Sequence, residues 1–276
     1  MKTIKLIALL LLYTGFGFAQ NVSNYNVVKV NGTLYNTTQK QKLSTGTSVN
    51  QNDEVEFGSL TNSAFVISKD NGRFIMIPDN SLSATAGTVL KPLSRRTAIT
   101  TRSESQVKLP HNDLFKYFGK DNFLFLGTVS KVWIDTAKIK INENNMLIAK
   151  YTDQNGKSIS KKLTVQGDQL IINLDEVFPE KNEDGSIKMF PIELYNFNNL
   201  TKELSLKANF KPIMANKAEL VNEFKVIAGT VSGSEGSNAN VIFEEIESFV
   251  FNSYGNTNED ELKQFITTTL ELRMKN

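Results

Sequence analysis

Residues 146–174 read MLIAKYTDQNGKSISKKLTVQGDQLIINL, and this stretch decides the fold class. Residues 146–151 form an apolar-rich run that stops at Asp153-Gln154-Asn155-Gly156-Lys157. Glycine takes positive φ at no steric cost, so an Asn-Gly pair between two apolar runs marks a hairpin. The chain returns over residues 159–165, turns at Gly167-Asp168 and leaves as Leu170-Ile171-Ile172-Asn173-Leu174. Short runs joined by tight turns make a meander, and a meander specifies antiparallel sheet.

The neighbouring sequence extends this reading. Upstream, Phe123-Leu124-Phe125-Leu126 is continuously apolar, and residues 129–135 hold the single tryptophan, Trp133. Residues 136–141 alternate, with Ala137, Ile139 and Ile141 on one face and Lys138 and Lys140 on the other, which predicts a further strand. Residues 189–195 and 204–210 add two more. Residues 122–215 are therefore expected to form an antiparallel β-sandwich with a packed inner face and a Lys-bearing outer face.

Beyond residue 215 the period changes to that of a helix. Asn216 and Glu219 have capping-box spacing, and Leu220, Val221, Phe224, Ile227 and Ala228 follow on one face up to Gly229. Residues 232–237 read as a Gly/Ser linker. A second helix is expected over residues 240–254, closed by Gly255, and a third is capped by Thr257 and Asp260. Short amphipathic helices are not stable alone in water, so residues 216–276 must pack on each other, on the sandwich or on a partner.

Residues 24–101 are broken into shorter strands. Val30-Asn31-Gly32, Leu43-Ser44-Thr45-Gly46-Thr47-Ser48-Val49, Asp53-Glu54-Val55, Ser63-Ala64-Phe65-Val66-Ile67 and Asn71-Gly72-Arg73-Phe74-Ile75-Met76 alternate turn chemistry with apolar runs. This pattern resembles the FecR-like or bacterial SH3-like extracytoplasmic β domain, a small barrel or sandwich of bacterial envelope proteins. The resemblance covers about a quarter of the chain. It implies an envelope setting and, through signalling members of the family, a periplasmic accessory role. Those members carry an anti-sigma segment and a membrane span that this sequence does not show. Residues 102–121, with Pro110 and His111, are expected to be a linker. Within it, residues 112–118 have the composition of a short helix with docking aromatics. The whole is expected to be mainly β with a C-terminal α-helical segment.

The first nineteen residues speak to location. Lys2 and Lys5 precede the apolar run Leu6-Ile7-Ala8-Leu9-Leu10-Leu11-Leu12, and Gly17-Phe18-Ala19 offers small residues before Gln20. This is the build of a cleavable signal peptide, too short for a membrane anchor. Periplasmic or extracellular location is expected, without a transmembrane anchor after cleavage. The 276 residues carry 31 Lys and Arg against 29 Asp and Glu, and the leader holds two of the lysines and no acid, so the remainder balances. A neutral chain has no global pull toward nucleic acid. The chain has no cysteine, which excludes thiol catalysis and cysteine-ligated zinc.

Candidate chemistry is sparse. The single histidine, His111, has no second histidine or cysteine to build a triad or common zinc site. Asp153-Gln154-Asn155-Gly156 and Glu183-Asp184-Gly185-Ser186 contain fragments of calcium loops. In the second, Pro191 falls where the terminal bidentate acid belongs if Glu180 opens the loop; both stretches read as hairpin turns, and no metal or cofactor is expected. Asp135, Asp168, Asp175 and Glu176 lie at strand ends without a pairing pattern. The expected function is therefore a non-enzymatic envelope module that binds protein or cell-wall glycan. An envelope-polymer hydrolase using a carboxylate pair and a periplasmic signalling accessory are the alternatives. The candidate contact residues are Arg73 beside a turn, Trp133 with Phe123 and Phe125 as an aromatic surface, and Phe249, Phe265 and Leu270 on the helices.

Overall fold

In the computed structural model, short strands bounded by turn residues outnumber the helices. The structure describes residues 24–70, 72–79, 88–93, 110–233 and 238–271. Residues 1–23, where a signal peptide is expected, the Arg95-Arg96 and Arg102 cluster and most of residues 232–237 lie outside the described residues. The fold is mainly β with a C-terminal helical segment, and it divides into two units, Met1–Lys91 and Pro92–Asn276.

The first unit contains β1 (Asn24–Asn31), β2 (Leu34–Asn36), β3 (Gln41–Lys42), β4 (Ser48–Asn50), β5 (Val55–Phe57), β6 (Ser63–Ser68), β7 (Gly72–Pro78) and all but the last residue of β8 (Thr88–Pro92). They form a five-stranded sheet, β4-β1-β6-β7-β8, and a three-stranded sheet, β3-β2-β5. A register shift between Val27 and Lys29 bends β1 against β6. The core is aliphatic, with Val27, Leu34, Leu43, Val49, Val66 and Met76 all buried. Asp53 fastens the two sheets together. Its Oδ2 accepts from Asn36 Nδ2 at 2.8 Å on β2 and from the Asn50 N–H at 2.9 Å on β4. Gln39 Nε2 donates to the same oxygen.

The second unit begins with helix α1 (Leu114–Phe118), then β9 (Asn122–Phe125), β10 (Val129–Trp133), α2 (Thr136–Ile139), β11 (Asn145–Thr152) and β12 (Ser158–Lys162). It continues with β13 (Thr164–Gln166), β14 (Gln169–Asn173), α3 (Leu174–Val177), β15 (Ile192–Asn198) and β16 (Leu204–Met214). Helices α4 (Lys217–Ser232), α5 (Ala239–Tyr254) and α6 (Glu259–Leu270) follow, with β17 (Asn256–Thr257) between the last two. A six-stranded sheet, β12-β11-β15-β16-β9-β17, faces a three-stranded sheet, β10-β14-β13. Leu147, Leu194 and Phe210 of the large sheet share one core with Val132, Leu170 and Ile172 of the small one.

Four expectations are corrected here. Residues 136–141 do not form a strand: Asp135 accepts from the Lys138 N–H at 3.0 Å and caps α2, and Lys140 closes it in the left-handed region. The sandwich is not wholly antiparallel, because β9 runs parallel to both β16 and β17. Helix α4 passes through Gly229 and ends three residues later, since one glycine costs less than the packing of Val231 returns. The cap of α6 is Asn258, whose Oδ1 accepts from Asp260 and Glu261. Thr257 belongs instead to β17, where its hydroxyl donates to Leu124 O at 2.9 Å.

Gly255 makes the parallel insertion of β17 feasible. It has φ +95°, and a Cβ there would lie 2.2 Å from the Asn122 carbonyl oxygen. The helices pack through edge-to-face rings, Phe224 on Phe249 and Phe224 on Phe265. The Tyr254 hydroxyl joins α5 to α4 by donating to the buried Glu223 carboxylate at 2.7 Å. Among the described residues no helix is long and apolar enough to cross a membrane.

Candidate functional site

The outer face of the small sheet gathers Trp133 with amide side chains. Residues of β10 alternate between exposed and buried, so Val129, Lys131 and Trp133 share the solvent side while Ser130 and Val132 turn inward. Pairing carries that face across the sheet. Trp133 stands opposite Gln169, and Gln169 opposite Gln166. The next row is Lys131, Ile171 and Thr164. Trp133 is 38% exposed. Among the described residues, no hydrogen-bond partner stands against its indole N–H or the amides of Gln166 and Gln169. Two strand spacings make the row about 10 Å wide, and four residues along β14 make the face about 13 Å long. At its far end lies a depression of about 170 Å³ bordered by Lys161, Thr164, Ile171, Asn173 and Glu176.

The strand bearing Trp133 is held on two sides. The His111 N–H donates to Trp133 O at 2.9 Å, and the Asp135 N–H donates to His111 O at 2.9 Å. The histidine expected in a linker thus bridges the free edge beside Ile134, and its ring rests on Tyr117 at 4.3 Å. Below, Glu261 accepts from Ser130 Oγ at 2.8 Å, from the Lys131 N–H at 3.0 Å and from Asn258 Nδ2 at 3.1 Å. Burial raises the Glu261 carboxyl pKa and outweighs the lowering by the Ser130 and Lys131 donors. Burial likewise raises the Tyr117 hydroxyl, with Glu261, Glu259 and Asp260 adding to it. The capping-box spacing of Asn258 and Glu261 is visible in sequence, but its reach to β10 is not.

The structure separates the other expected contact residues from this face. Phe123 and Phe125 do not join Trp133 in an exposed aromatic surface. They point into the core, where Phe123 packs with Phe118 at 4.8 Å and Phe118 stacks on Phe210 at 4.3 Å. Four consecutive apolar residues have both faces covered, which explains their burial. Arg73 is only 7% exposed, opposite Ile67 in the β6–β7 ladder, so it is not a surface contact. Phe249 is fully buried among the helices, and Phe265 and Leu270 are half-buried, so no open helical patch forms around Phe249. The physical reason is that the stripes of α4, α5 and α6 cover one another.

The scattered acids have local partners. Asp135 caps α2, Asp168 accepts from the Thr136 hydroxyl at 2.6 Å, and Glu176 accepts from Asn173 Nδ2 at 2.9 Å. Asp175 pairs with Lys181, whose hydrogen bond and charge hold its carboxyl below the usual range. Asp153 and Asp184 organise their own turns by accepting from Asn155, Lys157 and Ser186. No family model matches this chain, and no curated protein matches it.

Proposed function

We propose that this chain is a non-enzymatic binding module of the bacterial envelope, and that it holds a linear glycan across the outer face of β10-β14-β13. The observation that carries this reading is the in-register row of Trp133, Gln169 and Gln166. A pyranose ring has an apolar C–H face and a rim of hydroxyls. An indole offers a flat apolar body for the first, with its own N–H beside it. Primary amides both donate and accept, which suits hydroxyls that do the same. The in-register rows and the length of about 13 Å favour an extended oligosaccharide over a compact small molecule. The leader-like first nineteen residues and the FecR-like pattern support export and an envelope setting.

Because Trp133 is the single tryptophan, its emission reports occupancy directly. Titration with soluble peptidoglycan fragments is expected to shift that emission to the blue. The protein is expected to co-sediment with intact peptidoglycan. Trp133→Ala should weaken sedimentation by at least about tenfold. An unchanged emission together with unaltered sedimentation of Trp133→Ala would reject the face as the site. Progressive shortening of the glycan during incubation would reject the non-enzymatic reading.

A further inference from the structure

We propose that β16 is a self-association edge, at which two copies of this chain pair antiparallel through residues 203–207. The first observation is a stretch of strand with no ladder on one side; helix α1 packs against β16 through Phe118 on Phe210, beyond residues 203–207. β15 pairs with β16 from Leu204 to Phe210, but on the opposite side β9 pairs only with Lys211–Met214. Among the described residues no strand covers residues 204–210 on that side.

The backbone there is oriented for pairing. The Asn198 N–H donates to Glu203 O at 2.9 Å, which makes these two a hydrogen-bonded pair. Antiparallel ladders alternate, so Ser205 also turns toward β15, whereas Leu204 and Leu206 turn their N–H and C=O groups to the open side. An edge with free donors and acceptors is a template for another strand.

The sequence of this edge complements itself. It reads Glu203-Leu204-Ser205-Leu206-Lys207. With Ser205 on a two-fold axis, Leu204 of each copy meets Leu206 of the other, and both residues have their backbone groups facing outward. The same register sets Glu203 opposite Lys207 of the second copy, twice over. Glu203 is exposed, and among the described residues its carboxylate engages only the Thr201 hydroxyl of its own turn, which leaves it accessible. Lys207 is the extra residue at a register shift against β15, which lets a long side chain adjust.

The surrounding face favours a second copy over water. Leu204 and Leu206 are 47% and 38% exposed on the outer side of the large sheet. They continue two rows, Met146 with Phe197 and Ile148 with Tyr195. Pairing at the edge would place the leucines of both copies side by side in one continuous sheet. A strand segment spanning residues 203–207 is small beside the roughly 20–30 residues a side of a standard interface, so the dimer is expected to be weak and concentration-dependent.

Sedimentation velocity on the chain from Gln20 onward, between about 5 and about 500 µM, tests this directly. The unaltered chain should shift from monomer toward dimer across that range. Glu203→Lys and Lys207→Glu should each weaken association at least about tenfold, because like charges then face each other twice. An equimolar mixture of the two variants should recover the dimer, since opposite charges then meet at both positions. Circular dichroism and Trp133 emission of the separate variants control for folding. A chain that stays monomeric throughout would overturn the proposal. So would a mixture no more dimeric than the separate variants, which would place the contact elsewhere.

Discussion

Each unit is fastened internally by a carboxylate, and the two carboxylates sit in opposite electrostatic conditions. In the first unit Asp53 sits at a turn and joins two sheets around an aliphatic core. Burial acts to raise its pKa, but the Asn50 N–H and the amides of Asn36, Asn50 and Gln39 outweigh this and hold the carboxyl below 3.8. In the second unit Glu261 joins a helix to β10 beside an aromatic core, and burial raises its carboxyl above 4.5. Donors around a solvated carboxylate stabilise its charge. Similar donors around a buried one only reduce the cost of desolvation. One unit therefore gains stability from its ionised hub, whereas the other tolerates one in order to align Ser130, Lys131 and the strand that presents Trp133.

The contrast between cores is tested first, by the largest change. Phe210→Ala removes a ring that stacks on Phe118 and packs on Phe123 and Phe125. It is expected to cost about 3–5 kcal/mol. Urea unfolding followed by Trp133 emission measures it, and a loss below that of the Asp53 change would show that the aromatic core is not the main support.

Asp53→Ala is the intermediate case. It leaves the Nδ2 of fully buried Asn36 without its acceptor, at an expected cost of about 1–3 kcal/mol. Because the folded pKa of Asp53 is lowered, its stabilisation is present above pH 3.8 and is lost as pH falls through the folded value. The variant should lose this acid limb of the unfolding curve, and retention of the limb would assign it to another group.

Glu261→Gln is the smallest change. Gln keeps one acceptor oxygen for Ser130, Lys131 and Asn258 while removing a buried charge. Glu261 has a raised folded pKa, so its favourable contribution is present below pH 4.5 and is lost as pH rises through the folded value. The variant should match or exceed the unaltered chain by up to about 1 kcal/mol at pH 7, with the difference vanishing below pH 4.5. A clear loss at pH 7 would mean that the ionised form is preferred at this position.

The hairpins were legible because turns announce themselves. The Asn155-Gly156 pair joins β11 to β12 with Thr152 opposite Ser158, and Gly32 leaves β1 at φ +91°. The helical stripes were legible for the same kind of reason, since Phe224 and Phe249 recur at one face and meet. Residues 136–141 misled because six alternating residues satisfy either period, and Asp135 as a cap decided the matter. Trp133 was legible as an unusual residue, but its neighbours Gln166 and Gln169 were not, because they lie more than thirty positions away along the chain. The open edge of β16 was invisible for a related reason: it exists only because β9 stops short of Leu204.

The amino-acid sequence by itself determined the tight turns and the apolar stripes of the helices, because turn chemistry and periodicity act over a few residues. The tertiary structure alone decided that β9 is inserted parallel between β16 and β17, that Phe123 and Phe125 are core, and that Trp133 shares a row with two amides. Those outcomes depend on contacts between distant segments, and a distant contact is selected by the free energy of burying whole faces together, not by local preference.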